Sequence, residues 1–382
     1  MMLYLHILSE KMRFYLSVLF SIICISLNAQ NKCGAKEYTN YLIKHNPQYA
    51  VEKEKVNLET KNWIANSSLQ KEVNIITIPV VVHVLWETNT QNISDAQIFS
   101  QIDVLNADYR RTNIDQINTP SVWSNIAADC KIEFCLAATD PNGQPTTGIE
   151  RIQTSHGPFG MNSDVHTSSA GGADDWPNND YLNIWVCDIQ NGLLGYASGA
   201  SNWIGDGDGL VIGYKYFGTT GTVQAPYNKG RTATHEIGHW LNLEHTWGDN
   251  VCGDDLVSDT PTQEEENYGC PSMPHNANSC GTNNNNGDMF MNYMDYTNDA
   301  CMNLFTEGQK IRMIATINQY RSNMINHDLC NSPTNIREVT NVNKKLIKII
   351  DVFGTKQQTL KYNTPLIYIY EDGSVEKIIV IK

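Results

Sequence analysis

Three histidines, His235, His239 and His245, constrain this 382-residue chain more than any other feature in it. The first two stand four apart, so on a helix their rings share one face, one turn from each other, and can hold one zinc ion. The third follows six residues later, out of reach of that face. The helix must therefore end soon after His239 and let the chain swing back. Asn242 stands where the reversal has to begin, and asparagine is, after glycine, the residue that best tolerates positive φ. Glu236, beside the first histidine, places a carboxylate where it can take a proton from a metal-activated water. A His-x-x-x-His pair alone is often two surface residues on an amphipathic helix. The third histidine behind an interrupting asparagine favours a metal.

A net charge of −14, with no long basic run, argues against a clamp on phosphates, so no nucleic-acid partner is expected. The first residues read as a targeting segment. Lys11 and Arg13 precede an apolar run, Phe14 to Leu27, and Ala29 offers a small residue before a cut near Gln30. That run is short for a bilayer, and no other is long and apolar enough, so no membrane span is expected. Residues 1–29 are read as a signal peptide, and the protein as secreted or held at the cell surface. Of ten cysteines, Cys24 falls inside that segment; the nine left are an odd number, so a thiol has another task.

Residues 30–72 are polar, with a weak helical pattern from Tyr38 to Tyr49, and read as a pro-segment lying across another surface. Its Cys33 is the best candidate for the odd thiol. A thiolate is a good zinc ligand and would fill an open coordination position until removed. The alternative is a cysteine awaiting a disulfide. Residues 73–333 form the body, of α+β class. Ile75 to Trp86 reads as a buried strand, with Pro79 hinting at an edge or a bend and His83 as core. Ser94 caps a helix, with Gln97 completing a capping-box signature and Ile98, Ile102, Leu105 and Tyr109 forming its apolar face. Strands are expected at 132–138, 181–186, 194–198 and 209–217. Asp206 and Asp208 lie in a turn that could bind a cation. Residues 251–286 read as loop, which Cys252, Cys270, Cys280 and Cys301 can pin; Gly253 to Pro261 clusters oxygen ligands that suit calcium, or a solvated acidic loop. Gln309 to Asn323 is an amphipathic helix. Residues 336–382 carry three alternating runs and read as a small, separate all-β module. The partners of Cys130, Cys135, Cys187 and Cys330 stay open.

His235 to His245, Gly253 to Pro261, Asn292 to Tyr296 and Ala300 to Thr306, in that order, resemble the pappalysin family of metzincin zinc metallopeptidases, in its ulilysin-like cytophagalysin branch. The metzincin pattern has glycine where this chain has Asn242, a variant familiar in that branch. The resemblance implies a metzincin-like catalytic domain: a mixed twisted sheet, a zinc helix and a loop-rich, disulfide-pinned C-terminal subdomain. It implies a secreted endopeptidase acting on protein or peptide substrates and made as a latent zymogen. Zinc would sit on His235, His239 and His245, with Glu236 as general base and Cys33 as the zinc ligand of the latent form. Met294 would lie in a turn beneath the histidines, and Tyr296 would donate a hydrogen bond to the tetrahedral intermediate; by residue type alone both would be core. Disulfides Cys252–Cys280 and Cys270–Cys301 are implied, as is calcium on Asp255, the Val257 carbonyl, Asp259 and Thr260. Gly195, Tyr196 and Ala197 would form the edge strand that pairs with substrate. Residues 336–382 look like a short sorting module read by the bacterial type IX secretion machinery; a carbohydrate- or protein-binding β domain is the alternative. For the whole chain the competing reading is a catalytically idle, calcium-stabilised binding or adhesion protein on the same scaffold. Idle relatives usually lose the base or a ligand, and all four residues stand here.

Overall fold

A computed structural model describes residues 33–66, 74–200, 207–325, 328–331, 346–351, 354–357, 365–370 and 375–379. The signal peptide read at 1–29 and Asp206 lie outside the described residues. The chain divides into two units, Met1–Pro333 and Thr334–Lys382.

The first unit is built on a six-stranded sheet. Strands β1 (Ile76–Trp86), β2 (Ile132–Leu136), β3 (Ile149–Gln153), β4 (Leu182–Cys187), β5 (Gly195–Ala197) and β6 (Gly209–Gly213) run in the order β2-β1-β4-β6-β5, with β3 also pairing β1. All pairs are parallel except β5 with β6. The β-branched run of β1 suits a strand covered on both faces. β1 is central as a whole, but its first part, residues 76–79, is paired on one side only, as Pro79 suggests. The proline precedes Val80, the first residue matched to β4, so its missing N–H falls where the strand is paired only to β2.

One face carries Val80, Val82, Val84, Ile184 and Leu210 into the main core with α3 (Asp95–Tyr109) and α4 (Arg231–Trp240). Residues of opposite parity, Leu85, Trp185, Val211 and Tyr196, build a second cluster on the other face. Ser94 caps α3 by accepting from the Gln97 backbone N–H at 3.2 Å. The Gln97 side chain does not return to the cap. It donates to the carbonyls of Tyr214 and Phe217, at 3.1 and 2.9 Å, and holds that loop. Ile98, Leu105 and Tyr109 are buried as their spacing requires, and Ile102 packs partly against the same core.

The segment read as a pro-segment is more regular than its pattern predicts. It forms α1 (Ala35–His45) and α2 (Gln48–Asn66), although only Ala35, Tyr38, Tyr49, Val56 and Thr60 are buried. Most helical stability comes from docking a few side chains, which periodicity cannot register. Downstream, residues 251–286 hold one 3₁₀ turn ending at Asn284, and the implied disulfides Cys252–Cys280 and Cys270–Cys301 are present. A third, Cys135–Cys330, spans 195 residues. The odd count predicts one thiol left over, but among the described residues three remain: Cys33, Cys130 and Cys187, all buried. Cys130 and Cys187 pack as small hydrophobes in the two clusters. Helix α5 (Glu307–Tyr320) opens with a complete capping box between Thr306 and Gln309. Asp208 serves the fold: it accepts from the Trp240 indole at 2.8 Å and pairs with Arg321 at 2.8 Å.

The second unit is a three-stranded antiparallel sheet, β7 (Leu346–Asp351), β8 (Pro365–Tyr370) and β9 (Val375–Ile379), paired in chain order.

Candidate metal centre and active site

Every residue of α4 is buried. Its start is fixed electrostatically. Asp299 accepts from the backbone N–H groups of Lys229 and Arg231, at 2.7 and 3.3 Å. The Arg231 guanidinium forks onto Asp108 of α3, at 2.7 and 2.9 Å, and reaches Asp115. Asp108 also accepts from the hydroxyls of Thr234, at 2.8 Å, and Tyr293, at 3.0 Å. Burial pushes the Asp108 carboxyl up, and Arg231 opposes that shift.

Its end follows from Asn242, which has φ 69°. The Asn242 N–H donates to His239 O and the Leu243 N–H to Gly238 O, both at 2.9 Å, closing a Schellman motif. The chain then turns back and delivers His245 to the two helical histidines.

Each ring is anchored through Nδ1: His235 to Tyr293 O at 2.7 Å, His239 to Leu243 O at 2.8 Å, and His245 to the Asp249 carboxylate at 2.7 Å. These acceptors hold the proton on Nδ1, so Nε2 presents a lone pair. His239 Nε2 lies 3.0 Å from Nε2 of both His235 and His245. Three lone pairs converging on one buried point repel each other unless a cation stands among them. Cys33 completes the set: its sulfur and the three ring nitrogens lie within 4.8 Å of one another. Three nitrogens and a sulfur at such spacing fit tetrahedral zinc.

Glu236 is fully buried, and burial pushes its carboxyl up to about 8. The Cys33 thiol donates to Oε2 at 3.5 Å, while Oε1 has no partner among the described residues. Burial, then Glu236, pushes the Cys33 thiol well up.

Met294 lies against Gly238 in the last turn of α4. A Cβ at Gly238 would stand 2.3 Å from its Sδ, so only glycine leaves room for the sulfur. Its turn is held by reciprocal amide bonds between Asn292 and Gln309, at 2.8 and 3.0 Å. Tyr296 sets its ring edge-on to His245, centroids 4.9 Å apart, and its hydroxyl donates to Cys33 O at 3.3 Å. Trp247 stacks flat on His245 at 4.4 Å.

Strand β5 is the sheet's antiparallel edge. The Gly34 N–H donates to Gly195 O at 2.9 Å, and Cys33 forms a parallel bridge with Gly195. Ala197 faces the main core and Tyr196 the opposite cluster. A cleft of about 290 Å³ beside them is lined by Cys33, Leu194, His235, Glu236, Asp299 and Met302.

Of the proposed calcium residues, three come together: the Thr260 hydroxyl lies 2.7 Å from Asp255 and 3.0 Å from the Val257 carbonyl. Asp259 is occupied elsewhere, accepting from the Thr306 hydroxyl at 2.7 Å and the Gly308 N–H at 2.8 Å, at the start of α5.

Sequence reasoning missed Asp108, Arg231, Asp249 and Asp299. Asp108 left one sign: it falls three residues past Leu105 on the apolar stripe of α3, where a carboxylate needs a buried partner.

A family profile described as pregnancy-associated plasma protein-A, a peptidase family, matches residues 166–318. An extracellular metalloprotease of Arthroderma otae is 30% identical, with 65% of this chain and 80% of that protein covered. One from Arthroderma benhamiae is 29% identical over 79% of this chain and 98% of its own length. Among solved structures, a mutant of Tannerella forsythia promirolysin is 47% identical, with TM-score 0.71, covering 79% of this chain and all (100%) of its own. Mature mirolysin in complex with a cleaved peptide is 50% identical, with TM-score 0.66, covering 68% and 100%. Among the described residues, no helix is long and apolar enough to cross a membrane.

Proposed function

The chain belongs to the pregnancy-associated plasma protein-A family of metallopeptidases, and from that premise we propose that it is a secreted zinc endopeptidase made as a latent precursor. The observation that carries the reading is the convergence of three Nδ1-anchored histidines beside a buried glutamate. His235, His239 and His245 would hold the metal. Zinc bound there supplies Lewis acidity, polarising the scissile carbonyl and acidifying water.

The chain's own residues do the rest. Glu236 takes the proton of the attacking water and passes it to the leaving amine. The Tyr296 hydroxyl, now spent on Cys33 O, is released to donate to the developing oxyanion once the pro-segment leaves. Gly195 O, which now accepts from Gly34, becomes an acceptor for the substrate backbone. Replacing Glu236→Ala is expected to lower proteolysis by about 10²–10⁴-fold with zinc retained. Wild-type turnover by that variant sinks the mechanism.

Latency rests on Cys33 as fourth ligand and on Gly34 occupying β5. The Cys33→Ser precursor is expected to digest a protein substrate before any cut in residues 33–66; a precursor as silent as wild type leaves only steric cover. The names of the relatives, promirolysin and extracellular metalloprotease, agree with a secreted precursor. Asp255, the Val257 carbonyl and Thr260 are offered as a calcium site, with Asp259 contributing only if it leaves α5. Calcium removal should lower the melting temperature, and an unchanged melting curve rejects the site. The second unit is read as the type IX sorting module; its deletion should trap the protein inside the cell, and normal export of the truncated chain refutes that.

A further inference from the structure

The pro-segment does more at β5 than fill the metal's fourth position. Tyr38, one helical turn past Gly34, is only 3% exposed. Its ring lies 4.8 Å from the ring of Tyr196 and 6.5 Å from that of His166. Gly34 itself lies close on two apolar side chains: a Cβ there would come within 2.5 Å of Met161 and 2.7 Å of Leu193. All of these except Gly34 and His166 belong to the cluster on the Tyr196 face of the sheet. His166 is buried at 3% exposure, and neither of its ring nitrogens has a hydrogen-bond partner among the described residues.

We propose that loss of the pro-segment opens a subsite for an aromatic side chain of the peptide substrate, walled by Tyr196, Leu193, Met161 and His166. The inference rests on the latent-peptidase reading above. Its occupant is named by the chain itself, because the segment that pairs with Gly195 through Gly34 also delivers a tyrosine ring to Tyr196. A substrate backbone taking the place of Gly34 on β5 is fixed by the same carbonyl and leaves the same wall open beside it. Tilted aromatic pairs at about 5 Å are favourable beyond the area they bury, and an apolar pocket discriminates by ring size.

The test uses the matured protein and a peptide set with one cleavable core, in which each flanking position in turn carries alanine, leucine or tyrosine. At one position tyrosine should raise kcat/KM by about tenfold over alanine, chiefly through KM. Leu193→Ala and Met161→Ala should flatten that preference, bringing kcat/KM for the tyrosine peptide down towards that for the alanine peptide. Equilibrium binding of the same peptides to the matured Glu236→Ala protein should repeat the tenfold preference without hydrolysis. A binding profile flat at every position overturns the subsite. Wild-type protein that hydrolyses none of the peptides overturns the peptidase reading, and the binding arm still decides the subsite.

Discussion

His83 and His239 are both buried histidines on regular elements of one body, and they end in opposite situations. His83, on the central strand, faces acceptors through both ring nitrogens: Glu150 at 2.7 Å and Asn183 Oδ1 at 2.9 Å. Asn183 is oriented by Trp176, whose N–H donates to Oδ1 at 2.8 Å and whose carbonyl accepts from Nδ2 at 2.9 Å. The ring's polar capacity is used up inside the protein. His239 spends only Nδ1, on Leu243 O, and turns Nε2 towards two other rings. Burial alone does not separate a structural histidine from a ligand. The second nitrogen does: one is closed by the fold, and the other is left facing like groups that need a cation.

The comparison can be broken from either side. The larger effect should come from loosening a ligand's anchor. Asp249→Asn keeps an acceptor beside His245 but removes the carboxylate, and is expected to weaken zinc binding by about 10–100-fold, read by competition with a chelator. Unchanged affinity would mean the anchor does not tune the ligand. The smaller effect should come from His83→Leu, which leaves Asn183 Oδ1 with the Trp176 N–H as donor and costs about 0.5–1.5 kcal/mol in unfolding experiments. Zinc affinity should not move; if it does, the two histidine classes are coupled. The same variant carries a pH signature. The hydrogen bond from His83 holds the Glu150 carboxyl below its usual range. A depressed carboxyl stabilises the fold above its unfolded value, about 4.3, and loses that contribution as pH falls through the folded value. His83→Leu should therefore flatten the acid limb of stability, and an unchanged limb would remove Glu150 from the account.

What the sequence discloses here depends on how far apart the partners lie. His235, Glu236, His239 and Asn242 are local, and helical geometry relates them without knowledge of the fold. The ring anchors are less accessible: Tyr293 lies 58 residues from His235, and Asp108 lies 123 from Arg231. No periodicity connects such pairs. The capping box at Gln97 was half legible, because the backbone bond is local while the side chain's partners lie more than a hundred residues on. Helices α1 and α2 were faint because a few docked side chains hold them. Cysteine parity identified that a thiol was spare but not that Cys130 and Cys187 would be packed away as well. Met294 and Tyr296 read as core by type and are buried; their place beside the histidines came from family likeness and from the turn that Asn292 and Gln309 hold together.

The Cys135–Cys330 disulfide bears on how the body meets mechanical force. It staples the chain, a few residues before the second unit begins, to strand β2 at the end of the sheet opposite β5. Tension applied through residues 334–382 reaches Cys330 first and passes through a covalent bond into β2 and its ladder with β1. Helix α5, which lies upstream of Cys330 and braces the turn beneath the histidines, stays off the load path. A cut in the chain after Cys330 leaves the Cys135–Cys330 bond and α5 together on the same side of the break.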